Sequence, residues 1–289
     1  NFSAPLLPAN QFLGLVPQAV DYAGLRNQLI QRMPNTEQNL ALGGWLPENT
    51  AVPIQKGAGQ YRTLGRAVVA SQLSQLSQAI NRSYSRLSAP GVLEELREVS
   101  MKMYGKAEGQ APLPMALVIS SVAGGSGAGI YLDVVEALKS LSADFEKRTQ
   151  VLLFGPDVFN NIPQGLRDSI PANALGAMNE TLAGMWAEGP GAGSTALFNN
   201  AGLNGRGTSG FGPRNTYLIG ASNGQVSFGD QDSVYRAAGE SLATLVADEA
   251  VQTWMVEYAI VNVFVNSANP IICNDESMLK SSQNVFHSQ

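Results

Sequence analysis

The chain has one cysteine, Cys273, and one histidine, His287, among its 289 residues. A lone thiol excludes an internal disulfide, and a lone histidine excludes the usual zinc sites. Charged side chains make up 14% of the chain, against roughly 25% in ordinary domains. The polar surface must then be largely Ser, Asn, Gln and Gly, which suits either burial in an assembly or a plain uncharged exterior. The net charge is −5, and no basic stripe with interleaved aromatics occurs, which argues against nucleic acid as a partner. No apolar run reaches the ~18 residues that a membrane span needs. The start, from Asn1 through Pro5, Pro8 and Pro17, has neither an initiator methionine nor a signal-peptide pattern. A cytoplasmic, metal-poor protein is expected.

What is abundant is hydrophobic residue, at 44%, and glycine, at 30 residues. The stretch from Pro114 to Ser120 reads as a buried strand. Ala123-Gly124-Gly125-Ser126-Gly127-Ala128-Gly129 reads as a turn, and Ile130, Val134, Val135, Leu138 and Leu141 as one face of the helix after it. Strand, glycine loop and helix start aim backbone N–H groups and the positive end of a helix dipole at one point, where phosphate is the usual occupant. A glycine-rich turn without a ligand is the alternative.

No Lys-Ser or Lys-Thr follows the glycines, so the P-loop pattern is absent. The dinucleotide fingerprint fails because Ile130 stands where its third glycine would be, and because a long stretch precedes what should be the first strand–helix unit. Residues 123–129 instead resemble the signature loop of the tubulin/FtsZ superfamily, small-Gly-Gly-Thr-Gly-small-Gly. They match at every position, with Ser126 in place of Thr and its hydroxyl retained.

A second glycine segment, Gly57-Ala58-Gly59-Gln60-Tyr61-Arg62, precedes Gly65-Arg66 and a helical pattern of Leu64, Val68, Val69, Leu73, Leu76 and Ile80. It is similar to the bacterial tubulin-like branch, where a loop at this point reaches the terminal phosphate. The resemblance implies that Gly57, Ala58 and Gly59 line the nucleotide and that Arg62, with Arg66, neutralises phosphate charge. A solvated helix face is the alternative for both arginines. Pro90-Gly91 opens a further amphipathic helix over Val92–Val99, and Thr149–Phe154 and Thr216–Ala221 read as short buried strands.

The same resemblance assigns Pro156 and Arg167 to the base or ribose side, Asn223 to the guanine edge and Tyr235 to stacking on the base. Asn223-Gly224 is also an ordinary turn pair. Tyr235 would begin a long central helix from about Asp232 to Ile260. One turn beyond it, relatives carry Asp or Asn to read guanine; this chain has Gly239, with Glu240 about 100° further round. In the loop Val261–Asn269, Phe264 and Ser267 replace the acidic residues that position water, and Asp275 and Glu276 stand further on.

These readings imply an α/β fold, a parallel sheet with helices on both faces and a long central helix near the C-terminal end. Residues 1–56 would be the N-terminal part, whose first strand and glycine loop the resemblance puts upstream of Asn1 unless they have been lost, 57–269 the nucleotide-binding core and 270–289 a tail or the start of a following segment. Residues 189–212, rich in Gly, Ser and Asn, read as a long mobile insertion. The resemblance implies GTP or GDP with Mg2+ as ligands and head-to-tail self-association into filaments, with slow hydrolysis. A non-catalytic scaffold on the same fold is the rival function. A nicotinamide-dependent oxidoreductase would explain the sheet and one glycine loop but not Gly57–Arg66.

Overall fold

The computed structural model describes residues 11–15, 21–32, 46–48, 50, 53–54, 57–87, 89–106, 114–186, 197–199, 201–203, 212–213, 215–248, 250–251 and 253–254. Helix α1, Tyr22–Gln31, begins where the Asp21 carboxylate accepts the Gly24 amide at 2.8 Å. The side-chain oxygen thereby satisfies one of the N–H groups that a helix start leaves without a partner. The pattern of Leu64 to Ile80 forms two helices rather than one. α2 is Arg62–Ser71 and α3 is Leu73–Leu87, with the break at Gln72, whose φ of −116° and ψ of 13° leave the helical region.

Leu25 and Leu29 of α1 pack with Leu64, Val69 and Leu73 in a first core. Complete burial of such a side chain stabilises by about 1.5–3 kcal/mol. Leu197, Phe198 and Leu203 are buried in that same core. The segment read as a mobile insertion therefore carries anchors, because Leu197, Phe198 and Leu203 reach the first core; its other residues lie largely outside the described set. Helix α4, Pro90–Tyr104, starts on proline and ends at Gly105, whose φ of 68° is the left-handed conformation that closes many helices.

Three parallel strands follow in the spatial order β1-β2-β3. β1 is Ala116–Ser121, β2 is Thr149–Phe154 and β3 is Asn215–Ile219. β2 has the expected bounds. β1 starts two residues later than expected, and β3 stops before Gly220, where the chain turns out of the sheet. Helix α5, Gly125–Leu141, links β1 to β2 through the short α6, Phe145–Arg148. Helix α7, Ile170–Trp186, and the region before β3 link β2 to β3.

Register places Val118 beside Val151, and Ser120 beside Leu153. Since alternate residues share a face, Val118, Val151 and Leu153 point together and pack on Ala128, Tyr131, Leu132 and Val135 of α5 and on Ala174 and Ala177 of α7. The Tyr131 hydroxyl, buried between α5 and α7, donates to the Ala177 carbonyl at 2.9 Å, and burial pushes its pKa up to about 12. The opposite face carries Ile119, which is 51% exposed, and is covered at its carboxyl end, where Phe154 and Ile219 meet Val234. Helices thus pack on the sheet, but full cover on both faces is not what the described residues have.

α5 is buried more completely than a one-sided amphipathic pattern suggests: Ile130, Val134 and Ala137 face the first core while Tyr131, Leu132 and Val135 face the sheet. The expected long helix from Asp232 to Ile260 is corrected as well. Helix α8 is Gln231–Ala247, and Asp248, at φ −116° and ψ 115°, leaves the helix. Its carboxylate accepts the Ala250 amide at 2.8 Å, as the cap of a new turn. A short polar side chain that bonds the backbone ahead competes with helix continuation. Residues 255–260 lie outside the described set.

Candidate functional site

The site is built where β1 ends. The Val122 amide extends the ladder to the Phe154 carbonyl at 3.1 Å, and the Ser121 hydroxyl accepts the Ala123 amide at 3.0 Å. Gly124 is extended, and Gly125 already belongs to α5. The glycines therefore form the last extended residue and the first turn of the helix, not a separate turn. Residues 124–129 have no glycine at positive φ, so conformational freedom is not their reason.

Close approach is. A Cβ on Gly125 would lie 2.6 Å from the Tyr61 nitrogen, and one on Gly129 would lie 2.3 Å from the Arg62 carbonyl oxygen. From the other side, a Cβ on Gly65 would lie 2.3 Å from the Gly125 oxygen. Helices α2 and α5 meet backbone to backbone there, which only residues without a side chain permit. Gly127 faces the strand end, where a Cβ would stand 2.9 Å from the Ser120 hydroxyl and the Ser121 carbonyl oxygen. Gly124 alone of the four opens outward: an added Cβ meets nothing within 4 Å.

The second glycine segment lies across this turn. Gly57 at φ 107° and Gly59 at φ 55° bend the chain, and the Gly59 carbonyl accepts the Gly125 amide at 2.9 Å. Asn173 of α7 locks the two segments together, its side-chain amide donating to the Gln60 carbonyl at 2.8 Å and the Ala123 carbonyl at 2.9 Å. Asn173 is a residue that reading along the chain missed. Its signal is a polar residue within the apolar face Ile170, Ala174 and Ala177, where burial without a partner would be costly.

Neither Gly124 nor Tyr61 supplies a side-chain cap to the helix it precedes. The starts of α5 and α2 thus lie together without a side-chain cap, the Gly125 amide being taken by the Gly59 carbonyl, and Ser126 is exposed beside them. Val158, Phe159, Ile170 and Val234 pack with Ala123, which brings the exits of β2 and β3 and the start of α8 to the same end of the sheet. A cleft outside the carboxyl ends of parallel strands is where such sheets bind ligands.

The chain belongs to the tubulin-like family. A family model described as tubulin like matches residues 9–284. No curated protein and no solved structure matches the chain.

The other residues singled out in this tubulin-like chain have definite partners. Arg62 pairs with Glu180 of α7, and its Nε donates to the Ala128 carbonyl at 3.3 Å. Arg66 Nε stands 3.4 Å from a carboxylate oxygen of Asp133, which α5 buries. Burial pushes the Asp133 pKa up to about 6 even though the Arg66 guanidinium pulls the other way, so the ion pair does not offset desolvation. Both arginines of the second glycine segment thus brace α2 against α5 and α7.

Pro156 opens a one-turn 3₁₀ helix, Pro156–Phe159. The next residue, Asp157, accepts the Ala221 amide at 2.6 Å and ties the exits of β2 and β3. Arg167 donates to the Asn160 carbonyl at 2.7 Å and to the Gln164 side-chain oxygen at 2.5 Å, so it shapes its own loop. The Asn223 side-chain oxygen accepts the Gln225 amide at 3.1 Å and the Val226 amide at 2.8 Å, an Asx turn beyond β3. Tyr235 packs edge-on against Phe154 at 4.8 Å between ring centres, accepts from the Gln231 side chain at 2.6 Å and remains 39% exposed. Gly239 is exposed, with room for a side chain.

Among the described residues, no group of three or more His, Cys, Asp or Glu gathers to hold a metal ion, and no helix is long and apolar enough to cross a membrane. Phe264, Ser267, Asp275 and Glu276 lie outside the described residues.

Proposed function

We propose that this tubulin-like domain binds a guanine nucleotide with its phosphates over Gly124 and the starts of α5 and α2. One observation carries the reading. Two glycine segments distant in sequence are locked together by Gly59, Gly125 and Asn173 around a helix start that has no side-chain cap and whose outward glycine is open. Backbone N–H groups and the helix dipole then favour an anion. The Ser126 hydroxyl is exposed at that point and suits a phosphate oxygen. Tyr235, half-exposed beside Phe154, offers the face for the base. Asn223, Arg167 and Pro156 frame the base and ribose side through the loops they shape. Mg2+ would come with the phosphates, as the tubulin-like resemblance implies.

Filament assembly fits the family and would run head to tail, a heterologous contact that leaves both ends open. Hydrolysis would be slow, because Phe264 and Ser267 stand in the loop where acidic residues act in relatives. General acid–base assistance of the kind they lack contributes ~10²–10⁴-fold.

A scaffold that keeps the fold without turnover is the second reading, favoured by Gly239 and by the engagement of Arg62 and Arg66 with carboxylates. Denaturing the purified protein and identifying released nucleotide by chromatography, beside thermal shifts with GTP, GDP and ATP, separates the two. Guanine nucleotide and a GTP-selective shift support the first. No nucleotide and no shift support the second.

A further inference from the structure

Helix α4 spans fifteen residues, Pro90–Tyr104, and none of them is buried. It rests on α3 through the side that holds Leu93, Ser100 and Tyr104, which are half-buried. A second apolar stripe lies about a quarter-turn round the helix: Val92, which is half-buried, and the exposed Leu96, Val99 and Met103, at spacings of four, three and four residues. Leu96 is 45% exposed, Val99 49% and Met103 50%. Such spacing is the a/d seam of a two-stranded coiled coil, in which each side chain enters a gap on a facing helix. A charged exterior would be expected on a helix meant only for solvent.

The flanking charges decide what faces it. With Leu96 and Met103 at a positions, Glu95 and Lys102 are the two g positions, on the same edge of the seam and one heptad apart. A second copy running antiparallel sets Leu96 against Val99, and Val92 against Met103, in four layers. On one edge it then sets Glu95 of each copy near Lys102 of the other, so the surface is complementary to itself. A parallel copy would set Glu95 against Ser100 of its partner, the following e position, and lose both pairs.

We infer that α4 is a self-association surface on which two copies of this chain pair antiparallel through Val92, Leu96, Val99 and Met103. The contact is isologous, with a two-fold axis, and so differs from a head-to-tail contact. It does not depend on nucleotide. A seam of four layers is smaller than the ~1,200 Å² of a stable interface, so the isolated pair is weak. In an array it would act many times over, joining neighbouring rows with opposite polarity.

Sedimentation equilibrium of the full chain without added nucleotide, with concentrations carried into the hundred-micromolar range, tests this. A monomer–dimer equilibrium is expected for the wild type, and Leu96→Glu should raise its dissociation constant at least about tenfold, since it places a charge in the seam. Glu95→Lys alone and Lys102→Glu alone should each weaken it about fivefold by setting like charges opposite. The double swap, Glu95→Lys with Lys102→Glu, should restore it. In a Cys273→Ser background, Leu96→Cys with Val99→Cys should form an intermolecular disulfide on oxidation, whereas Met101→Cys, half-exposed on the far side of the helix, should not. A chain that stays monomeric throughout, a dimer indifferent to Leu96→Glu, or a double swap no better than the single reversals would overturn the proposal. None of these substitutions touches the glycine segments, so nucleotide binding measured on the same variants reports separately on the proposed function.

Discussion

The amide of Gly125 donates to the carbonyl of Gly59 at 2.9 Å, and the same glycine lies so close to Tyr61 that a Cβ would stand 2.6 Å from its nitrogen. The first residue of α5 is therefore shared between two tasks. It opens the helix whose start is the proposed anion site, and it is the floor on which the second glycine segment lies. Gly124, one residue earlier, performs only the first.

That difference makes the two glycines separable by mutation. Gly125→Ala should destabilise the fold by about 1–3 kcal/mol through overpacking against backbone, read as a lower urea midpoint. Gly124→Ala, at φ −93° with no atom within 4 Å, should leave the midpoint unchanged or slightly raised while weakening nucleotide binding. Equal loss of stability in both variants would refute the division.

Asn173→Ala removes the donor shared by the Gln60 and Ala123 carbonyls. Leaving buried acceptors without a partner costs about 1–3 kcal/mol, so the urea midpoint should fall. Amide exchange at Gln60, Tyr61 and Gly125 should rise more than in the sheet. An unchanged exchange pattern would remove Asn173 from the lock.

Asp133 predicts a pH dependence. Its folded pKa, about 6, lies above its ordinary value of 3.8, so the folded state holds the proton more tightly than the unfolded chain. Stability from this group is present at acid pH and lost as pH rises between about 4 and 6, by roughly 3 kcal/mol at one 1.36 kcal/mol step per pKa unit. Asp133→Asn should flatten that part of the stability profile measured by urea unfolding. A profile with the same slope in both proteins would contradict the assignment.

Gly239 has space for a side chain one turn beyond Tyr235. If the base stacks on Tyr235, Gly239→Asp should sharpen the preference for GTP over ATP by about tenfold, the lower range of one added polar contact. Competitive binding of the two nucleotides measures it, and an unaltered ratio would move the base away from α8.

Much of the architecture was legible from the chain alone, for local reasons. Val151–Phe154 is an apolar run led by Thr149-Gln150 and closed by Gly155-Pro156, and Thr149–Phe154 is a strand over those six residues. The glycine segment follows β1 and leads into the helix, as its residues suggest, though the helix begins at Gly125 instead of after Gly129. Helix α1 was not among the expected elements, although its buried Tyr22, Leu25 and Leu29 keep a helical spacing. The single helices expected over 64–80 and 232–260 proved to be broken at Gln72 and Asp248, since one residue's dihedrals or one capping carboxylate can outweigh a continuing period.

Patterns of near neighbours, then, carried the element types, the tubulin-like signature and the paucity of metal-binding side chains, because each depends only on residues a few positions apart. Which groups meet was decided by the tertiary structure. Arg62 and Arg66 sit in a segment that suggests phosphate contact, yet Glu180 and Asp133 receive them once α2 is pressed on α5. Gly65, Gly125 and Gly129 are small because two helices cross there, and Asn173 matters because α7 brings it over two loops. Contacts of that kind depend on the packing of distant elements, and no spacing along the chain encodes them.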